Sequence, residues 1–464
     1  MIAPDRIEQE LNRLVPARLQ ARWGDVKEGL WFLPACGTIV CAILAFALVK
    51  LDSSLTLSDR FASNSLFFGA GAEGARGVLT AIAASIVTVT GTIFSIVIVA
   101  LQLASGQFTP RVMRHFTGDR VNQVVLALMI GTFTYCMLVL RTVRSQDDVP
   151  GPFVPVISVS FAIVLSLVCI GGLIWFIHHS ARQLQVSFIL ERASGDTLRL
   201  IDQTFPMDVE APGPAANHAP PSEAHTEVIA KRSGYIQDID LDHLMALSRA
   251  RDIRIHVLHP CGAWILSGMP IARVWRESGG LTEDDLTAVR DNLVLGVERT
   301  LQHDVTFGIR QIADIAVKAV SPAINDPTTA TQTIDQLNNL LVRAGNRPAQ
   351  QSAVMVGDRP AIFLETVTFA MLADTAYTQI RHYGASDVVV VSHLIDGMRR
   401  VTGLVPEEYR AVMVDHSRLA LNKALAQNLL EVEKDALRTI GAWTEGAVAH
   451  SASARIDPVI LTAI

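Results

Sequence analysis

Four stretches of this chain, 31–49, 78–104, 124–139 and 153–177, are longer and more apolar than ordinary core helices. The hydrocarbon core of a bilayer is about 30 Å thick and takes roughly 20 helical residues to cross. None of the four stretches holds an Asp, Glu, Lys or Arg in its interior. The third is the shortest and is expected to extend into its flanks. Composition agrees with this reading. Over 464 residues, 50% of the side chains are hydrophobic and 18% are charged, with a mean hydropathy of +0.33. Soluble domains of this length seldom show that balance. Residues 31–180 are therefore read as four transmembrane helices.

A net charge of -6 excludes a generally basic nucleic-acid binder. The five cysteines (36, 41, 136, 169 and 261) form no CxxC, and four of them lie in apolar runs. They read as free thiols, with no disulfide framework and no zinc site. Residues 1–30 are charged (Arg6, Glu8, Glu10, Arg13, Arg18, Arg22) and read as a cytoplasmic segment, with no removable signal peptide expected.

Orientation follows the Lys and Arg residues near the span ends. The N-terminal segment, the second loop (Arg111, Arg114, Arg120) and the region after the last span (Arg182, Arg192) are basic. The first loop holds Arg60 and Arg76, and the third holds Arg141 and Arg144. An even number of spans puts both termini on one side, assigned here to the cytoplasm. Trp31 and Trp175 then fall at the cytoplasmic interface.

Residues 181–205 keep a helical pattern and read as an extension of the last span. Residues 206–226 are rich in Pro and Ala and too poor in large apolar residues to fold alone, so they form a linker. Within 227–280, alternating runs and turn signals at Gly262 and Gly268 predict a small β-rich module around one short helix. From 281 to 440 the pattern is mostly helical, with Leu286, Val289, Leu293, Val297 and Leu301 on one stripe; 441–464 is a tail. The expected fold is an α-helical membrane protein followed by a cytoplasmic α+β region.

The second apolar stretch is the most informative. At 100° per residue, Ala81, Ala84, Ser85, Thr88, Gly91, Thr92, Ser95, Val99, Gln102 and Gly106 share an arc of roughly 120°. Ile82, Ile86, Val89, Ile93, Phe94, Ile96, Val97 and Leu101 occupy the other side, which reads as the lipid face; Thr90 is its polar exception. In one reading the small face packs against helices, each contact being worth about 0.6 to 2 kcal/mol. In the other, symmetry-related copies surround a water-filled path lined by Ser85, Thr88, Thr92, Ser95 and Gln102. The spans carry no ionisable relay, so a passive path is favoured over a proton-coupled one. Pro110 ends the helix.

In the soluble half, Ser321-Pro-Ala-Ile-Asn325-Asp326-Pro-Thr328-Thr329 stands out. Pro322 helps end one helix, Asp326 is an N-cap, and Pro327 suits the first helical position of the next. Capping alone explains these residue types. Alternatively, the amides of Thr328 and Thr329 offer a small-anion site. Upstream, His303, Asp304, Arg310, Asp314 and Lys318 are placed on one helix; Arg310, Asp314 and Lys318 stand at i,i+4 spacing and can form a charge ladder, on a solvated face or a subunit contact. Asp304 and Arg310 could instead clamp the Asn325–Asp326 turn.

Gly69-Ala-Gly71-Ala-Glu-Gly74 matches GxGxxG but lies between two spans without a βαβ unit, so it is no nucleotide fingerprint. His178, His179, His256 and His259 are metal ligands by type only, without an acidic or cysteine partner at ligand spacing. No catalytic motif, resident metal or cofactor is expected.

Two long motifs, VTVTGTIFSIVIVALQLASGQFTPRVMRHF and FGIRQIADIAVKAVSPAINDPTTATQTID, resemble a widespread family of bacterial predicted membrane proteins catalogued as a domain of unknown function. The segments GYIQDIDLDHLMALSRARDIRIHVLHPCGAWILSGMPIA and QIRHYGASDVVVV fit its pattern too, so the resemblance spans nearly the whole chain. One departure stands in the β module, where the family writes something like PGDFV and this chain reads Pro260-Cys-Gly-Ala-Trp264. The resemblance implies an inner-membrane protein with an N-terminal multi-span region and a C-terminal soluble region, and it supplies no activity. The expected partners are the lipid bilayer, further copies of the chain and an ion or small solute. The leading expectation is a homo-oligomeric passive channel; the alternative is a non-conducting scaffold or sensor that binds a protein or small anion.

Overall fold

The computed structural model describes residues 31–54, 71–107, 119–145, 152–183, 185–205, 207, 219–222, 224–276, 279–357 and 359–445. The turn at Pro110, Arg60, Arg111, Arg114, Gly69, most of the linker and residues 1–30 lie outside them. The chain divides into two units, one of residues 19–185 and one that includes residues 186–464.

The first unit holds α1 (Phe32–Ser54), α2 (Ala72–Gln107), α3 (Arg120–Leu140) and α4 (Val156–Gln183), all long and apolar enough to cross a membrane. Each includes one of the four stretches picked out by sequence or nearly all of it. The tightest approach joins α1 to α3. A Cβ on Gly131 would stand 2.7 Å from Cys41 Sγ, and one on Gly37 would stand 2.9 Å from Ala127 Cβ. With Ala45 buried one turn further on, positions 37, 41 and 45 form a small-residue row that lets the two backbones meet.

Helix α3 is the centre of this unit. Tyr135, Cys136 and Val139 pack with Ala75, Leu79 and Ala83 of α2, and Val125, Leu126 and Met129 pack with Ile86, Ile93 and Val97. This overturns the expected lipid face of α2. Ile86, Ile93 and Val97 are buried in the bundle, with Ile82, Val89 and Leu101 packed against the same core, while Phe94 and Ile96 remain exposed. A helical wheel gives the angle between two faces; it does not say which face the neighbouring helices occupy.

Polar links bind the same bundle. Near the C-terminal end of α1, Asp52 accepts hydrogen bonds from the Ile157 and Ser158 amides and from the Ser158 hydroxyl, and so caps α4 from another helix. The Tyr135 hydroxyl donates to the Ser158 carbonyl over 2.9 Å.

The second unit begins with α5 (Val186–Thr204), a helix separate from α4. The expected extension of the last span is thus described as two helices, one ending at Gln183 and the next starting at Val186. Ile189, Leu190, Ala193, Thr197, Leu200 and Ile201 are buried on one side of α5, and Asp202 pairs with Arg343 and Arg347. The β module follows as β1 (Thr226–Ile229), β2 (Gly234–Ile239), α6 (Leu241–Arg251), β3 (Ile253–Val257), β4 (Trp264–Ile265), β5 (Pro270–Arg276), α7 (Glu283–Asp291) and β6 (Leu293–Gly296). Next come α8 (Val305–Ala319), α9 (Pro327–Gly345), β7 (Ala353–Val356) and β8 (Arg359–Leu364). Four helices complete the described fold: α10 (Phe369–Tyr383), α11 (Val388–Leu404), α12 (Glu407–Leu425) and α13 (Glu431–Gly441).

The strands form one sheet in the order β1-β5-β3-β8-β7 and a second in the order β4-β2-β6. Strand β8 joins β3 in parallel, with Ile255 opposite Ile362, so a hairpin from the mostly helical segment completes the larger sheet. The stripe expected from Leu286 to Leu301 also fails beyond Asp291. Leu293 pairs with Ile239 in a strand, and Val297 is 85% exposed. A short run such as LVLG fits either period, and Asn292 ends the helix before it.

Gly131→Val should lower the unfolding midpoint of the detergent-solubilised protein, by about 1–3 kcal/mol of overpacking. A Cβ added at Gly171 on α4 meets no atom within 4 Å, so Gly171→Ala should leave the midpoint unchanged, as thermal unfolding of the two variants will show.

Candidate functional site

On α2, the side opposite the buried isoleucines is uncovered. Ala81, Ala84, Ser85, Thr88, Gly91, Thr92, Ser95, Val99 and Gln102 are all exposed. Each of three hydroxyls donates to the carbonyl one turn back: Thr88 to Ala84 at 3.0 Å, Thr92 to Thr88 at 3.1 Å, and Ser95 to Gly91 at 2.9 Å. Their donors are satisfied within the helix, and their lone pairs remain free to accept from water or a partner. So the stripe is not the seam by which α2 joins its own bundle.

The contrast with the other outer faces is chemical. Helix α1 shows Ile39, Val40, Ile43 and Phe46, and α4 shows Val164, Leu167, Ile170 and Ile174. Those are lipid-facing side chains by type. Beside the stripe, an open groove of about 290 Å³ runs between α2, α3 and α4, lined in part by Ser85, Val89, Met129, Ser166 and Cys169.

The Ser321–Thr329 motif forms the corner between α8 and α9. The Asn325 amide donates to the Ser321 carbonyl and the Asp326 amide to the Ala319 carbonyl, both at 2.9 Å. Asn325 adopts φ +48°, a left-handed conformation that Asn tolerates better than most residues. Asp326 caps α9 by accepting from the Thr329 hydroxyl at 2.6 Å and the Thr329 amide at 3.0 Å. The Thr329 side chain and amide, with the Thr328 amide, hold this carboxyl below its ordinary pKa against a smaller opposing effect of burial. The two amides expected to take an external anion thus already serve the Asp326 carboxylate. Pro322, Ala323, Ile324 and Asn325 are exposed at the corner.

Asp304 is not part of that corner. It caps the opposite end of α8, and 15 helical residues put the two ends about 22 Å apart. Its carboxylate is buried, accepting from Arg299 Nε at 2.7 Å, Arg299 Nη2 at 2.8 Å, the Thr306 hydroxyl at 2.6 Å and the Phe307 amide at 2.9 Å. Gly262 packs so closely on it that a Cβ would overlap the carboxylate, which ties the 260–264 turn to this pair. Arg310 lies in the second turn of α8, about 14 Å along the helix axis from its end at Ala319. His303 lies before α8 instead of on it, and pairs with Asp238 at 3.3 Å.

Several polar groups escaped sequence reasoning. Asp119 caps α3 and pairs with His179 near the C-terminal end of α4 at 3.2 Å, supplying the acidic partner that spacing alone did not reveal. Asn122 and Gln123 are buried beside that cap, with the Asn122 carbonyl oxygen and both polar atoms of Gln123 unpartnered. His416 is buried between Asp374, at 3.2 Å, and Arg381, with Tyr377 edge-on. The His416 hydrogen bond holds Asp374 below its ordinary pKa despite burial. Among the described residues no group of three His, Cys, Asp or Glu side chains is arranged to hold a metal ion.

Four candidate spans and a mixed α+β unit define a multi-pass membrane protein. Residues 27–400 match the family described as "Predicted membrane protein (DUF2254)", and the chain belongs to it. Similar chains include the uncharacterized proteins Rv1290c of Mycobacterium tuberculosis and Mb1321c of Mycobacterium bovis. Each is 32% identical over 427 residues, covering 89% of this chain and 79% of its own length. No solved structure matches the chain.

Asp326→Ala should cost about 1 kcal/mol at neutral pH, and Asp326→Asn less. Because the folded pKa of Asp326 is lowered, its contribution is complete above the unfolded value of about 3.9 and fades as pH falls through the folded one. The gap between wild type and Asp326→Ala in denaturant unfolding should therefore narrow below about pH 4.

Proposed function

We propose that the protein is a homo-oligomeric, passive pathway for ions or small solutes in the bacterial inner membrane, with both termini in the cytoplasm. Copies of α2 surround a common axis, and Ser85, Thr88, Thr92, Ser95 and Gln102 face the water along it. On this reading the chain performs no chemical step. The observation that carries it is the disposition of α2, in which Ile86, Ile93 and Val97 are buried in its own bundle while Ser85, Thr88, Gly91, Thr92 and Ser95 are left outside. A helix that met only lipid at that face would gain more from the Ile and Leu side chains that α1 and α4 expose. Small residues let helix backbones approach across a subunit contact, and hydroxyl lone pairs accept from passing water.

The lack of Asp, Glu, Lys or Arg among these lining residues supports passive movement over coupling. Asp304 and the Ser321–Asp326 corner then have structural work, in helix capping and, for Asp304, in holding the Gly262 turn of the β module. Planar-bilayer recordings on purified protein and on a Thr88→Val/Thr92→Val/Ser95→Val variant test the proposal. Currents with altered conductance in the variant are expected. Silence from assembled wild-type protein across voltages and salts would overturn it in favour of a non-conducting scaffold or sensor.

A further inference from the structure

The smaller sheet of the β module carries an exposed apolar tip that the pathway does not use. Its geometry is set by main-chain bonds. The Ala230 amide donates to the Met269 carbonyl, the Gly268 amide to the Ala230 carbonyl, and the Ser267 amide to the Ser233 hydroxyl, each at 2.9 Å. The turns at 231–233 and 266–268 therefore lie side by side. Along β2 and β4, Ile236 and Ile265 point into the core, so alternation turns Tyr235 and Trp264 to the outer face. Those two residues are register partners, and their rings meet edge to face at 4.7 Å.

Trp264 is 48% exposed, Leu266 54% and Val297, next to the strand partner of Tyr235, 85%. Lys231 and Arg232 rim this tip, both exposed. Arg232 reaches the Leu295 carbonyl, and neither cation meets a carboxylate among the described residues. Glu298 is the acidic neighbour, beyond Val297.

We propose that this tip is a membrane-interface anchor. Trp264, Leu266 and Val297 enter the headgroup region of an anionic bilayer, and Lys231 and Arg232 meet its lipid phosphates. Tryptophan and tyrosine favour that zone because their rings are amphipathic, and unpaired basic side chains beside them are drawn to anionic lipid. The occupant follows from charge and tethering. A second copy docked on the same tip would bring another Lys231 and Arg232 to the contact and add like charge to it, whereas anionic lipid complements them. The spans of the same chain keep the module beside a bilayer, so a weak contact operates at high effective concentration. The inference is independent of whether the protein conducts.

The test uses full-length protein in nanodiscs of phosphatidylcholine, with or without phosphatidylglycerol, that also contain nitroxide-labelled lipid. Native cysteines are replaced, and a polarity-sensitive fluorophore is attached at Leu266→Cys or, as a control on the far sheet edge, at Met355→Cys. Blue-shifted, nitroxide-quenched emission is expected at position 266 in phosphatidylglycerol discs. It should be lost at high salt and in a Lys231→Glu/Arg232→Glu background, while position 355 stays unquenched. Equal behaviour of the two positions in every disc would overturn the proposal. So would a label at 266 that is shielded from iodide yet unquenched by lipid nitroxide, since that result marks a protein contact.

Discussion

The close approach of α1 and α3 is the constraint on which the membrane unit depends. Lipid tails are as apolar as leucine, so burial of apolar area does little to join helices in a bilayer; close packing and hydrogen bonds must do it. Gly37, Cys41 and Ala45 on one helix, and Ala127 and Gly131 on the other, remove the side-chain bulk that would hold the backbones apart. Once α3 is fixed, it presents Met129, Leu126, Tyr135 and Val139 to α2 and α4, which close around it. Asp52 then locks the start of α4 to the far end of α1. Little freedom remains in how α2 can lie.

That arrangement gives the hydroxyl stripe of α2 its meaning. The hydroxyl donors of Thr88, Thr92 and Ser95 are satisfied by carbonyls one turn back, so these three do not by themselves force the stripe away from lipid. What distinguishes it is wasted opportunity: Gly91, Ala84 and Ser95 fill space poorly against acyl chains, yet fit a neighbouring helix or a column of water. The seam inside the bundle has its own small residues, on α1 and α3. The second set, on α2, has no partner helix among the described residues, which is the disposition expected of a subunit contact or an aqueous lining.

Local physics was legible in the sequence and long-range physics was not. The four spans could be read because about 20 apolar residues without a charge have few other uses. The Asp326 cap could be read because its partner Thr329 is three residues away. By contrast, the buried side of α2 depends on where α3 sits, and the periodicity of α2 alone assigned it to lipid. For Asp304, residue type left open a solvated face, a subunit contact or a clamp on the Asn325–Asp326 turn, whereas its partners are Arg299, Thr306 and the Gly262 turn. Strand β8 was missed because its neighbour β3 lies about a hundred residues earlier in the chain. Asp52 lies just beyond the apolar run, so reading the span stopped short of the residue that caps α4.

The central claim is that the stripe on α2 faces water in the assembled protein. Single cysteines introduced from position 84 to position 98 in a cysteine-free background, in membranes, and probed with a membrane-impermeant thiol reagent test it most directly. The account predicts reaction at Ala84→Cys, Thr88→Cys, Thr92→Cys and Ser95→Cys and none at Ile86→Cys, Phe94→Cys or Ile98→Cys, a helical period with its maximum on the hydroxyl side. Uniform inertness along the whole segment, or reaction centred on Phe94 and Ile98, would contradict it.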